Sequence, residues 1–566
     1  MSFLPITTWL KTYTRQDFNN DLFAGVITAI LLVPQGIAYA ILAGLPPQLG
    51  LYASILPPIV YVILGTSRTL SVGPVSIAAI MIASALNAPE ISALGDPLHS
   101  TLILSAESGL ILLLMALLRM GGLVNFISHP VLTGFTSGAS LLIIGSQLPQ
   151  LIGLKTPTCA WNLECYQGYL QNYNSITLFI GLAALLVLVI FTKPLPWLLK
   201  KIGLKLSLLT AISKCGPLLT VLLATMLVSY FSLQTLHGVA VVGQVPTGFP
   251  KLSIDFWAPE KWRLLLPSSA FIALIAYVES VAIAKVTANL RAEKIDPNQE
   301  LIALGFANLT TAISGGMPVA GGFSRTMVNF SAGARTQVAM LIAAGILALA
   351  VIFFSPWFEN IPKVALAAII LVAIVPLVRI NSIVHTWRYD RGDGIAELVT
   401  FLGVLVLGIE EGISLGIILT LISYLRKTSQ PHIAVVGRIP KTGHYRNVKR
   451  HAVDTWASLL LLRIDENITF ANVDFIENFI VAELKRQETI EHIVLILTSV
   501  SDIDTTALEA LENLNRVLQG SGMTLHLSEA KGPVLDKLEK THFFNELKPG
   551  KVFFHTDEAI KALVGQ

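Results

Sequence analysis

One carboxylate stands out by its surroundings. Glu279 lies in Ile272–Ala284, a run otherwise made of apolar residues with one tyrosine and one serine. An acid at the centre of a membrane helix costs roughly 2.5–3.5 kcal/mol on insertion scales, which makes it a functional residue by default. A proton or a sodium ion can neutralise it while a second, anionic species binds beside it, so the chemistry it suggests is ion coupling. A neutral glutamic acid bonded to a neighbouring helix is the plainer alternative. Gln35 and Tyr39 sit four residues apart, hence on one helix face. Each offers an uncharged donor that can hold an oxyanion, and each could equally hold two helices together. Two stretches broken by glycine and proline complete the set: Thr66–Ser76 and Gly315–Thr326, about 250 residues apart. Each precedes an apolar segment, so each places a helix N-terminus, with its unpaired N–H groups and partial positive charge, where an anion is favoured. Gly73, Val75 and Ser76 come from the first break, and Gly321, Gly322, Phe323 and Ser324 from the second. Arg325 adds positive field, or else serves a structural ion pair or a snorkelling charge.

The elements that must position these groups are membrane spans. Of the 566 residues, 53% are hydrophobic and 13% charged, with a formal net charge of +3. The mean hydropathy of +0.68 lies far from the usual globular balance. The polar N-terminus lacks a signal-peptide pattern, so the first apolar run reads as a permanent span. Fourteen apolar segments follow one another. Seven lie near 21–43, 49–65, 73–87, 100–119, 130–148, 174–192 and 215–233. Seven more lie near 267–288, 299–314, 322–332, 336–356, 362–379, 395–410 and 412–426. The third and tenth are too short to cross roughly 30 Å of hydrocarbon. Irregular backbone at that depth survives only inside protein or beside water, and a matched pair of such breaks points to a transporter's binding site. With the N-terminus inside, the inner loops hold Arg68, Lys200, Lys201, Arg291, Arg335 and Arg388, while the outer loops hold few cations, among them Lys261 and Lys363. Three cysteines are too few for a disulfide framework, although Cys159 and Cys165 share one loop and could pair there.

The expected division is a cytoplasmic N-terminal segment at 1–20, a transport domain at 21–428 with repeats at about 21–235 and 265–428, and a soluble α/β domain at 430–566. In that last region Trp456–Ile464 and His492–Leu497 read as strands, and Asn472–Arg486 and Thr505–Leu518 as helices. Alternation of this kind implies a parallel or mixed sheet covered by helices. The segments Asn308–Thr310 and Asn329–Ser331 match a glycosylation sequon at membrane depth and read as chance. No phosphate-binding loop, zinc helix or nucleophile elbow is present, so no enzyme activity and no cofactor are expected, and transport would run on gradients with a proton or sodium as coupling ion.

Five segments in order carry a resemblance: Leu32–Ala40, Ala43–Tyr52, Gly65–Pro74, Asn298–Gly305 and Gly322–Arg325. They resemble the sulfate permease (SulP/SLC26) family, and Asp502–Leu511 resembles the matching stretch of its STAS domain. The resemblance implies a multi-pass α-helical protein of fourteen segments in two inverted seven-helix repeats, with core and gate domains and a cytoplasmic STAS domain. It further implies an anion transporter of the cell membrane, a homodimer, and elevator-type movement of core against gate. It places Gln35 and Tyr39 at the substrate and ties Glu279 to symport, protons being favoured over sodium because sodium-coupled relatives resemble this chain with aspartate there. Several plant sulfate-transporting relatives carry serine where Gly322 stands, which removes one hydroxyl donor and leaves room for another anion. Thr505 and Thr506 resemble a regulatory phosphorylation position, while Asp504 reads as an N-cap. Proton-coupled sulfate uptake leads; the alternatives are sodium-coupled bicarbonate or dicarboxylate symport, or an uncoupled exchanger or channel.

Overall fold

In the computed structural model, the described residues are 4–93, 95–125, 128–154, 173–192, 194–202, 212, 215–243, 248, 252–254, 256–487 and 489–565. Cys159 and Cys165 lie outside them. The chain divides into two compact units, Met1–Thr420 and Leu421–Gln566.

Each of the fourteen apolar segments falls on helix. They are α1 (Arg15–Leu42), α2 (Pro47–Leu64, with a turn at 53–55), α3 (Ser76–Asn87), α4 (Pro97–Leu117), α5 (His129–Leu151), α6 (Ser175–Thr192) and α7 (Gly216–Tyr230). The second set is α8 (Pro259–Asn289), α9 (Pro297–Ile313), α10 (Phe323–Ser331), α11 (Val338–Phe358), α12 (Lys363–Ile374), α13 (Arg391–Val406) and α14 (Ile409–Ser429). Starts are set by local chemistry. Thr14 and Asp17 close a capping box on α1, and Asp296 accepts from the amides of Asn298 and Gln299 at the start of α9. The twelfth segment ends earlier than its apolar run suggested. Pro376 sits in a 3-10 turn at Val375–Leu377, and an amphipathic helix not foreseen from the sequence follows at Ile380–Tyr389.

Packing follows a repeat. The helices α1–α4 and α8–α11 form one group, and α5–α7 and α12–α14 the other. Exchanging each helix for the one seven later maps the largest contacts onto one another: α4 on α9 becomes α11 on α2, α4 on α8 becomes α11 on α1, and α5 on α13 becomes α12 on α6. Glycine permits the closest crossings. A Cβ added at Gly109 of α4 would lie 2.8 Å from the Gly305 oxygen of α9. The two halves meet at the breaks. Val72–Gly73 (β1) pairs antiparallel with Ala320–Gly321 (β2), Val72 opposite Gly321 and Gly73 opposite Ala320.

The second unit holds a six-stranded sheet in the order β4-β3-β5-β6-β7-β8. Its strands are β3 (Ile433–Arg438), β4 (Tyr445–Asn447), β5 (Leu459–Ile464), β6 (His492–Ile496), β7 (Thr524–Ser528) and β8 (Val552–Phe553). The last four are parallel, with the β3–β4 hairpin added antiparallel at one edge. Strand β5 is apolar at almost every residue because both of its faces are covered. Leu460, Leu462 and Ile464 pack in one core with α15 (Val473–Leu484), α16 (Thr505–Gly520) and α17 (Gly532–Glu539). Leu459 and Leu461 pack in the other with α18 (Thr556–Val564).

Candidate anion site

The breaks are held rather than loose. Across them the Gly322 amide donates to the Ser71 carbonyl at 2.9 Å, and the Ser71 amide to Thr326 Oγ1 at 3.0 Å. The side chain of Ser280 on α8 accepts the Gly321 amide at 2.7 Å. Two asparagines dismissed as chance sequons do structural work here. Asn308 accepts from the Val319 amide at 2.9 Å and donates to its carbonyl at 3.0 Å, and Asn329 donates to the Thr69 carbonyl at 3.0 Å. Gln337 donates to the carbonyls of Ser67 and Leu70 at 2.7 and 3.0 Å. Glu300, in the first turn of α9, is fully buried. It accepts from Tyr61 and from the Thr66 hydroxyl and amide, at 2.6–2.7 Å, and from the Ser67 amide at 3.2 Å. These bonds satisfy backbone that has left the helix at membrane depth.

A cavity of about 280 Å³ opens beside the paired breaks. Gln35, Tyr39, Val75, Ser76, Glu279, Gly322, Phe323, Ser324 and Arg325 all line it. Both broken helices therefore present their first turns to one space, and neither α3 nor α10 has a side-chain cap. Gly73 and Gly321 do not line the cavity. They belong to the short β1–β2 ladder that backs it, Gly73 opposite Ala320 and Gly321 opposite Val72.

Of the readings open for Arg325, the geometry favours the one that adds positive field at the cavity. Arg325 neither snorkels nor forms an ion pair within 4 Å among the described residues. It is 2% exposed, donates from Nη1 to the Pro74 carbonyl at 2.7 Å, and reaches Gln35 Oε1 at 3.4 Å. Among the described residues its Nε and Nη2 have no hydrogen-bond partner, and neither has Glu279 Oε2. Glycine makes this pose feasible: a Cβ on Gly322 would sit 2.7 Å from Nη2, and one on Gly73 3.3 Å from it. Gly322 thus houses the guanidinium, and the missing serine hydroxyl is matched by room for a cation.

The sequence passed over His129, Thr133 and Thr136 of α5 and Arg379 beyond α12, all of which line the same cavity. Their apolar segments gave no sign of which face would meet the breaks; only Arg379, a cation at a span's end, could have been noticed. Glu107, also unforeseen, is buried between α4 and α8, where it accepts from Ser269. In the second unit Thr505 and Thr506 are exposed at the start of α16, and Asp504 caps that helix by accepting the Ala507 amide at 2.9 Å.

The sulfate permease family model matches residues 18–400, and the STAS domain model residues 450–559. The chain belongs to the sulfate permease family. A probable sulfate transporter 4.2 of Arabidopsis thaliana is 32% identical over 99% of this chain and 83% of its own length. Sulfate transporter 4.1, chloroplastic, of the same plant is 32% identical over 95% of this chain and 81% of its own. Among solved structures, SLC26A9 aligns over all of this chain and 93% of its own, with a TM-score of 0.89 at 22% identity. The murine SLC26A9 structure titled as inward-facing gives 0.88 at 21% identity, covering 100% of this chain and 94% of its own. The transmembrane domain of the cyanobacterial bicarbonate transporter BicA gives 0.59 at 20% identity, over 72% of this chain and 98% of its own. The family is one of anion transporters rather than enzymes, and the fold is the multi-pass helical unit with a STAS domain that the motifs implied.

Proposed function

We propose that this protein is a secondary active transporter that takes up sulfate with protons, the anion binding in the cavity at the two breaks. The observation that carries this is the unpaired pair inside it: Arg325 with two free N–H groups and Glu279 with a free oxygen. While Glu279 is charged, it offsets Arg325 and repels an incoming anion. A proton on Glu279 removes that repulsion and leaves the guanidinium and two helix N-termini to face the anion, with Gln35, Tyr39 and Ser76 as uncharged donors. Cargo and proton then bind together. Glu279 is the one carboxylate lining the cavity among the described residues, which suits a proton better than an ion needing several oxygens. The sulfate reading is supported by the names of the plant relatives.

Both broken helices belong to the α1–α4/α8–α11 group, while His129, Thr133 and Leu377 on the facing wall belong to the other or its links. Sliding the first group past the second moves the site as a unit, an elevator movement. The cavity runs toward His129 and Arg379, at segment ends that the loop charges assign to the cytoplasm, so this is an inward-facing state. We place the protein in a cell membrane as a homodimer with its N-terminus and STAS domain cytoplasmic, and Thr505 and Thr506 are exposed enough for regulatory modification.

The test is uptake of labelled sulfate into proteoliposomes under an imposed pH gradient. The wild type accumulates label. Glu279→Gln keeps sulfate–sulfate exchange and loses the gradient-driven accumulation. Intact accumulation in that variant defeats proton coupling through Glu279, and label that neither enters nor is competed by cold sulfate defeats the substrate.

A further inference from the structure

Three arginines converge away from the transport cavity. Arg68 lies between α2 and β1, Arg291 just beyond α8, and Arg335 between α10 and α11. With Tyr13 and Thr336, and with the carboxylates Asp17 and Glu293, they line a separate cleft of about 150 Å³. The loop charges assign these connections to the cytoplasmic face.

The acids nearby are largely committed elsewhere. Asp21 is fully buried; its Oδ1 accepts the amides of Arg335 and Thr336 at 2.6 and 3.0 Å, and its Oδ2 accepts Thr336 Oγ1 and Tyr13. Asp17 is closed into the capping box with Thr14. Glu293 alone approaches a guanidinium, and only at 3.9 Å from Arg68 Nε. The donors, by contrast, stand open. Arg291 lies over the Phe330 ring, 4.5 Å from its centroid, and its Nη1 is buried with no partner. The exposed guanidinium of Arg335 has no hydrogen bond or ion pair among the described residues. A buried guanidinium N–H left unpaired is costly, and a tetrahedral oxyanion offers the acceptor geometry that arginine matches best.

We propose that this cleft is a second oxyanion site, taking a phosphate-type group between Arg291 and Arg335 with Arg68 at its rim. The bound group would tie Arg68, at the start of the first break, to Arg335, behind the second. It would therefore stiffen the chain ends that bracket the transport site without touching cargo. The group could arrive as free phosphate or as the headgroup of an inositol lipid, since both present the same oxygens.

Equilibrium binding of radiolabelled inorganic phosphate to the purified full chain in detergent tests this. Saturable binding is expected, weakened about tenfold by Arg291→Gln and by Arg335→Gln, the size of one charge-assisted bond. Arg335 is exposed, so its variant keeps the fold even if the Arg291 variant does not. Lys363→Gln, at a cation remote in sequence from the cleft, leaves binding unchanged. In parallel, phosphatidylcholine vesicles with and without phosphatidylinositol phosphate are tested for capture of the protein. Capture only with the phosphoinositide, lost in Arg335→Gln, assigns the cleft to a lipid headgroup; free phosphate binding with the same sensitivity assigns it to a soluble anion. Indifference of both to Arg335→Gln overturns the proposal. So does phosphate binding abolished by Arg325→Gln alone, because that places the ion in the transport cavity.

Discussion

The two units treat buried polar atoms in opposite ways. In Leu421–Gln566 nearly all are closed. Asn472 accepts the Thr469 amide and donates to the carbonyls of Thr428 and Asn467, and Ser528 shares a 2.8 Å bond with Thr556. His526 is engaged at both ring nitrogens, by the Lys551 amide and by His492. The one buried side-chain atom left without a partner there, among the described residues, is Arg438 Nε, whose guanidinium lies 5.4 Å from the Trp456 centroid. In Met1–Thr420 the open atoms among the described residues are many, and several belong to ionisable groups: Glu107 Oε1, Glu279 Oε2, both oxygens of Glu397, Arg291 Nη1 and two nitrogens of Arg325. An unsatisfied buried group costs about 1–3 kcal/mol, more if charged. A unit that only has to stay folded closes such valences, and one that must bind and release a charge keeps some open.

The largest expected break of this contrast is at the cavity. Arg325→Gln removes the charge that the open valences serve, and uptake at limiting sulfate should fall about a hundredfold, the scale of losing one partner of a desolvated charge pair. Asn472→Ala should act oppositely in kind. It opens a closed network at a cost of about 1–3 kcal/mol, read as a lower thermal midpoint of the second unit, with sulfate affinity unchanged. Gly322→Ala should be milder, because its new Cβ meets the far end of a flexible side chain. The guanidinium shifts, and the expected result is a KM for sulfate raised about tenfold with little change in the maximal rate. An unaltered KM would mean that the position of Arg325 does not matter to the anion.

The smallest effect concerns pH. Burial, with His492 and Lys551 adding to it, pulls His526 down from the ordinary value of 6.5 to about 4. The unfolded chain therefore binds this proton more readily than the folded one. Stability of the second unit should be complete above about pH 6.5 and decline as pH falls toward 4. Thermal midpoints measured across that range check the sign, and a phenylalanine in place of His526 should flatten the slope.

Much of the site was legible in one dimension. Glu279 was conspicuous because charge is rare in an apolar run, and the two breaks because glycine and proline interrupt helix wherever they occur together. Helical spacing put Gln35 and Tyr39 on one face, and the family resemblance pointed that face at the site. The sequons at Asn308 and Asn329 read as chance, and both residues are buried; their structural role was not legible because their partners, Val319 and Thr69, are backbone atoms in other segments. Nothing local marks such a bond.

The sequence by itself determined the apolar segments and their order, because hydrophobicity and helix length act residue by residue. It also determined that two helices must begin inside the membrane. What only the tertiary structure decided is where the charges go. That Gly73 and Gly322 wall a slot for Arg325, while Gly73 pairs with Ala320 and Gly321 with Val72 behind the cavity, depends on segments about 250 residues apart meeting edge to edge. Contact energies between such segments are set by packing in three dimensions, and no local pattern encodes them.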